Sequence, residues 1–212
     1  MKSWKMIIAI MVLLISSTSV HSATLVIANG ELIGADGITF DGYMASVRFL
    51  EGTCVDLFNG CDQPSDIVFQ SLTSNQTQAK DLAIAANTAL LTQVFDTNPL
   101  YDINVGFTYG CSEGTTALGY CTMITPYYYS NGYVVTSTLR NNDDNVQQDI
   151  VAWGQGILTT NSTIPLNPNA TDRNVYASWS ITPVPVPAAG LLFISGLFSL
   201  GIFGYRKKTC QA

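Results

Sequence analysis

Apolar and polar positions alternate from Leu25 to Leu50, and the runs are broken by Asn29-Gly30, Asp36-Gly37 and Asp41-Gly42. Such pairs suit tight hairpin turns, whose central residues need positive φ. The pattern predicts strands over Leu25–Ala28, Glu31–Gly34 and Tyr43–Leu50. In Tyr43-Met44-Ala45-Ser46-Val47-Arg48-Phe49 the odd positions are apolar, whereas Ser46 and Arg48 are polar, as in a strand with one buried face. Asp66–Leu72 is a further strand candidate. From Thr77 the period changes: Ala79, Leu82, Ala83, Ala86, Leu90 and Val94 recur at three- and four-residue intervals. This stripe predicts an amphipathic helix running to Phe95 and packing its apolar side on a sheet. Asn98-Pro99 ends it, because proline lacks the amide and disfavours helix in the preceding residue. Strand patterns return over Ile103–Tyr109, Tyr120–Thr125, Tyr133–Leu139, Ile150–Trp153 and Val175–Ile181, with polar loops at Asn142–Asn145 and Asn161–Asp172. The expected fold is one α+β domain, a predominantly antiparallel β-sheet crossed by one long amphipathic helix.

Both ends of the chain have a different texture. Lys2 and Lys5 precede the ten-residue apolar run Met6–Ile15, and a small, polar stretch follows to Ser22. This is the layout of a secretory signal peptide, residues 1–22, with cleavage before Ala23. At the other end, Ala188–Tyr205 holds 18 residues without a charge. As a helix they reach about 27 Å, close to the thickness of a bilayer core. Arg206, Lys207 and Lys208 follow directly and favour a cytoplasmic C-terminus. The expected organisation is a signal peptide (1–22), an exported α+β domain (23–182) and a C-terminal membrane segment (183–212).

Charge narrows the partners. All 15 acidic residues lie between Ala23 and Thr182, against the four bases Arg48, Lys80, Arg140 and Arg173, a net charge of −11 for that region. Such a surface repels phosphate backbones, so nucleic acid is not an expected partner. The one histidine, His21, falls inside the expected signal peptide. The mature chain then has none, which excludes Ser-His-Asp and Cys-His hydrolases and histidine-ligated metal sites.

Cys54, Cys61, Cys111 and Cys121 lie in the exported region, and Cys210 lies beyond the basic cluster. Four cysteines in an oxidising compartment read as two disulfides. Closeness in sequence favours Cys54 with Cys61 and Cys111 with Cys121 among the three possible connectivities. Each short loop would stabilise the fold by about 2–3 kcal/mol. Neither pair has the C-x2-C spacing of a zinc site.

The C-terminal order Val184-Pro185-Val186-Pro187, Ala188-Ala189-Gly190, apolar helix, Arg206-Lys207-Lys208 resembles the PEP-CTERM sorting signal of Gram-negative bacteria over about 25 residues. One position departs from the name-giving Pro-Glu-Pro: Val186 stands between Pro185 and Pro187. The resemblance implies that an exosortase, a membrane-embedded cysteine protease, removes the helix and passes the protein to the cell surface. The exported region also resembles a group of PEP-CTERM proteins through Gly52-Thr53-Cys54, Asn59-Gly60-Cys61-Asp62, Gln93-Val94-Phe95 and Thr125-Pro126-Tyr127. That likeness carries no activity with it.

Chemistry-bearing motifs are few. Tyr127, Tyr128 and Tyr129 offer rings that could stack on sugars, although consecutive strand residues point to alternate faces. Asn141-Asn142-Asp143-Asp144-Asn145 has oxygen ligands but lacks the spacing and terminal glutamate of a calcium loop, and it reads as a solvated turn. Ser65, Ser112 and Ser130 lack the glycines of a nucleophile elbow. The sequons at Asn75, Asn161 and Asn169 are short enough to arise by chance. The expectation is a non-enzymatic surface or matrix protein without cofactor or metal, structural or adhesive. Its partners would be an exosortase, the inner membrane before processing, and exopolysaccharide or matrix proteins. A carbohydrate-binding module is the alternative, and a carboxylate-dependent hydrolase the third reading.

Overall fold

The computed structural model describes residues 22–111, 119–142, 149–159, 163–164 and 174–184. The expected signal peptide up to His21, the sorting residues Pro185, Val186 and Pro187, the apolar segment 188–205 and the basic cluster 206–208 lie outside them. The chain divides into two compact units, Met1–Thr182 and Pro183–Ala212, and the account below concerns the first.

The first unit opens with a meander: β1 (Thr24–Ala28), β2 (Glu31–Phe40) and β3 (Tyr43–Leu50). Asn29-Gly30 and Asp41-Gly42 make its two turns, and all four residues have positive φ. Asp36-Gly37 makes no turn, contrary to the expectation from its sequence. Ala35 pairs with Val47 and Ile38 with Ala45, so the two residues form a bulge inside a longer β2. Arg48 reaches across this bulge to Asp36 at 2.8 Å.

A helical stretch follows β4 (Gly52–Thr53): α1 (Cys54–Leu57), a 3-10 turn (Pro64–Asp66), α2 (Val68–Ser71) and α3 (Gln76–Leu90). The expected strand over Asp66–Leu72 is therefore corrected. Pro64 fixes the first turn there, and the Asp66 side chain accepts from the Gln63 and Asp62 amides. Asn75 caps α3, its side chain accepting from the Gln78 amide at 3.0 Å, where an uncapped amide would go unmet. A π-helical turn, Leu91–Phe95, continues α3 to the expected end point. The predicted stripe is buried, with Leu82 the most exposed at 8%. Pro99 opens a further helix, α4 (Pro99–Asp102), and a 3-10 turn occupies Val105–Phe107. The expected strand over Ile103–Tyr109 is thereby corrected as well; only Leu32 and Thr108 form a bridge there.

The second half is another antiparallel meander, β5 (Tyr120–Ser130), β6 (Tyr133–Asn142) and β7 (Ile150–Thr159). A short β8 (Thr163–Ile164) pairs with β4. The last strand, β9 (Asn174–Pro183), inserts between the two meanders to give a seven-stranded sheet of order β1-β2-β3-β9-β5-β6-β7. Its pairing with β5 is parallel, so the sheet is mixed, dominated by antiparallel ladders. The α+β class with a dominant sheet is what the structure has.

Burial explains the stacking. Residues on one face of β5, Cys121, Met123 and Tyr127, share the main core with the α3 stripe, Phe69, Phe95 and Trp179. On the opposite face Ile124 joins Val134, Tyr176, Ile67 and the Cys54–Cys61 pair in a smaller cluster. Polar bonds tie the helix to the sheet. Thr125 Oγ1 donates to Asn87 Oδ1 (2.8 Å), Asn87 Nδ2 donates to Ser137 Oγ (3.1 Å), and Trp179 Nε1 donates to Thr125 Oγ1 (3.2 Å). All four side chains are buried. Replacing Asn87 by Leu or Thr125 by Val strands buried partners, and each change is expected to lower stability in urea unfolding by about 2 kcal/mol. The double variant should lose less than the sum, because both changes break one network.

Candidate functional site

Each motif singled out by sequence meets a different fate. Tyr127 is corrected as a sugar contact: its ring is 1% exposed and belongs to the main core. The cause is a register shift between Pro126 and Tyr128 against β6, which makes Tyr127 the extra residue of a bulge. Tyr128 and Tyr129 are half-buried, packed on the main and the smaller core respectively. The Tyr129 hydroxyl accepts from the Gly132 amide at 3.2 Å. The three rings are thus divided between two cores and do not form one stacking platform.

The structure joins Cys54 to Cys61 and Cys111 to Cys121, with Cα–Cα distances of 5.7 and 5.5 Å. The first bridge closes α1 against the smaller cluster. The second fastens the segment after the Val105–Phe107 turn to the start of β5. Gly110, next to Cys111, has φ +77° and a Cβ there would press on Val175 of β9 at 3.0 Å; glycine lets the bridge close without displacing that strand. Two disulfides fit a secreted, extracytoplasmic protein. Among the described residues no helix is long and apolar enough to cross a membrane.

Asn141 and Asn142 end β6 and are buried, while Asp143, Asp144 and Asn145 lie outside the described residues. The acids that converge are others. Asp96 caps the π-helical turn, Asp102 ends α4, and Asp149 directly precedes β7. One carboxylate oxygen from each lies within 4.8 Å of the others. Asp149 accepts from the Asn142 amide at 2.7 Å. Among the described residues the one ion pair is Arg48 with Asp36, so none of the bases described there pairs with the three. Arg140, close in sequence, lies over the Tyr120 ring at 4.4 Å. Burial, then the charge of Asp102, holds Asp96 above its ordinary pKa. Asp149 is raised by burial first and by Asp102 and Asp96 next, with the Asn142 amide opposing them. Its three carboxylates make this the place among the described residues where hard oxygen donors converge on one point. Sequence reading missed it because the three acids lie on separate segments, brought together only by helix–sheet docking.

An open groove of about 610 Å³ runs beside the β2–β3 turn, lined by Asp41, Tyr43, Ser74, Gln78 and Asp81 among others. It combines one aromatic ring with several hydrogen-bonding groups, a mixture suited to a hydroxyl-rich polymer. No family model, curated protein or solved structure matches this chain.

The acidic cluster has a definite pH signature. A carboxyl with its folded pKa above the unfolded value near 3.8 binds its proton more tightly in the fold. Its penalty is absent below that value and complete above the folded pKa, so stability from this source falls as pH rises. Asp149→Asn should therefore be more stable than the parent at neutral pH, and the gap should close on acidification. Urea unfolding of both proteins across pH checks this; parallel curves with no pH-dependent gap would contradict it.

Proposed function

We propose that this is an exported surface or extracellular-matrix protein of a Gram-negative bacterium, delivered by an exosortase and acting structurally or adhesively. The observation that carries the reading is the C-terminal order of Val184-Pro185-Val186-Pro187, an uncharged membrane-length segment and Arg206-Lys207-Lys208. In sequence this order follows directly on β9, which ends at Pro183. Two disulfides and the N-terminal signal layout support export. The partner in this reading is exopolysaccharide or another matrix protein. The groove beside Tyr43 supports a polysaccharide contact better than the tyrosine run does, since Tyr127 is buried. No catalysis is assigned: the mature chain has no histidine, and the reading rests on delivery and contact.

Deleting residues 185–208 tests the sorting claim in the native cell. The truncated protein is expected in the soluble periplasmic fraction, with the full chain at the surface or in the matrix. Equal surface delivery of both would overturn the claim.

A further inference from the structure

The groove beside the β2–β3 turn has a balance of hydrogen-bond donors and acceptors that narrows what it can hold. One wall is the turn, where Asp41 sits at φ +46° and Tyr43 follows one residue later. The other wall is the loop from α2 into α3 together with Gln78, Asp81 and Leu82, whose three- and four-residue spacing puts them on one face of α3. The loop hydroxyls spend their protons within the protein. Ser71 donates to the Val68 carbonyl at 2.7 Å, Thr73 to the Phe69 carbonyl at 2.9 Å and Ser74 to Gln78 Oε1 at 2.7 Å. Each hydroxyl is left with acceptor lone pairs only, and the Asp41 and Asp81 carboxylates are acceptors alone. Against these stand the Gln78 amide nitrogen and the Tyr43 hydroxyl as side-chain donors. Among the described residues no base lines the groove; Lys80, beside Asp81 in sequence, is not part of its lining.

We infer that this groove binds a polysaccharide carrying free amino groups, a polymer of deacetylated amino sugars. The inference rests on the reading of the protein as a matrix component and names the class of polymer it meets. Tyr43 is half-buried, packed on the main core with its ring 6.2 Å from that of Phe40, and so offers a fixed flat surface to a sugar ring. A groove of about 610 Å³ that is open to solvent suits an extended chain better than an enclosed small molecule. A lining rich in acceptors takes an ammonium group, which brings donors and a positive charge together, in preference to other sugar substituents. Acidic polysaccharides are disfavoured twice, since a uronate adds further acceptors and the exported region already carries a charge of −11. A neutral glycan leaves both carboxylates without a counter-charge. A basic peptide supplies that charge, but on long side chains whose ordering costs entropy, whereas a sugar amine is fixed directly on its ring.

The test uses the full, unreduced chain in detergent at mildly acidic pH, titrated by calorimetry with a glucosamine hexamer. Saturable binding that weakens with added salt is expected. The N-acetylated hexamer should bind about tenfold more weakly, and an alginate oligomer should not bind. Asp41→Asn and Asp81→Asn are each expected to weaken the glucosamine hexamer about threefold, and the double variant about tenfold. Both positions are exposed, and asparagine tolerates the positive φ at 41, so these variants should keep the parent Tm. Tyr43→Leu keeps an apolar contact with the core and removes the flat ring; it should weaken both hexamers about threefold and leave hexalysine unchanged. Absence of binding to the glucosamine hexamer would overturn the inference, as would undiminished binding in both aspartate variants. Equal affinity for the N-acetylated hexamer would overturn the choice of amino sugars, and hexalysine binding as tightly as the sugar would overturn the choice of a polysaccharide. The sorting claim is judged separately by the deletion of residues 185–208, so the two can fail independently.

Discussion

The buried polar network of Asn87, Thr125, Ser137 and Trp179 is the constraint on which the rest of the domain depends. Four elements meet there: α3 supplies the asparagine, β5 the threonine, β6 the serine and β9 the tryptophan. Apolar packing is tolerant of sliding, since Ala79, Ala83 and Ala86 are small and similar along the helix. A hydrogen-bonded asparagine is not tolerant, because moving α3 by one turn would strand several buried polar groups together. Two further side chains reinforce the register from the helical segments. Gln93 both accepts from the Thr39 amide and donates to its carbonyl, and Gln70 does the same for Tyr129. Each glutamine meets both backbone groups of a strand residue close to a bulge.

The same network explains the place of the last strand. Without β9 the chain has two separate three-stranded meanders, each with a bare edge facing the other. Val175, Tyr176, Ala177 and Trp179 fill both sides of the gap. Trp179 also packs edge-on to Phe40 of the first meander and to Phe69 of α2, with ring centroids near 6 Å. Burial pushes the Tyr176 hydroxyl pKa up to about 12. Closing the sheet thus waits for Asn174–Pro183, the last strand to be made. Non-local pairing of this kind is slow to form, because loop closure must precede the contacts that reward it.

Much of this was legible in the sequence, for physical reasons that differ by element. The α3 stripe declared itself because its apolar period is unambiguous over nearly twenty residues, and Asn29-Gly30 and Asp41-Gly42 formed the turns their chemistry demands. Asp36-Gly37 carries the same chemistry but formed a bulge, since β1 and β3 hold both flanks of β2 in one sheet. The segments 66–72 and 103–109 are rich in strand-forming residues, yet the preceding prolines and asparagines close short helical turns. Tyr127 points inward because of a register shift that only pairing with β6 reveals. The acidic cluster was invisible for a related reason: Asp96, Asp102 and Asp149 share no spacing, and only docking of α3 and α4 on the β6–β7 end assembles them.

The central claim is that an oxidised domain, cut free at both ends, is what reaches the cell surface. Intact mass of the unreduced protein from its native cells tests that most directly. The account predicts a chain starting at Ala23, ending between Pro185 and Gly190, and lighter by the four hydrogens lost in forming two disulfides. A mass that still includes Ala212 would contradict it, making the tail a permanent part of the protein.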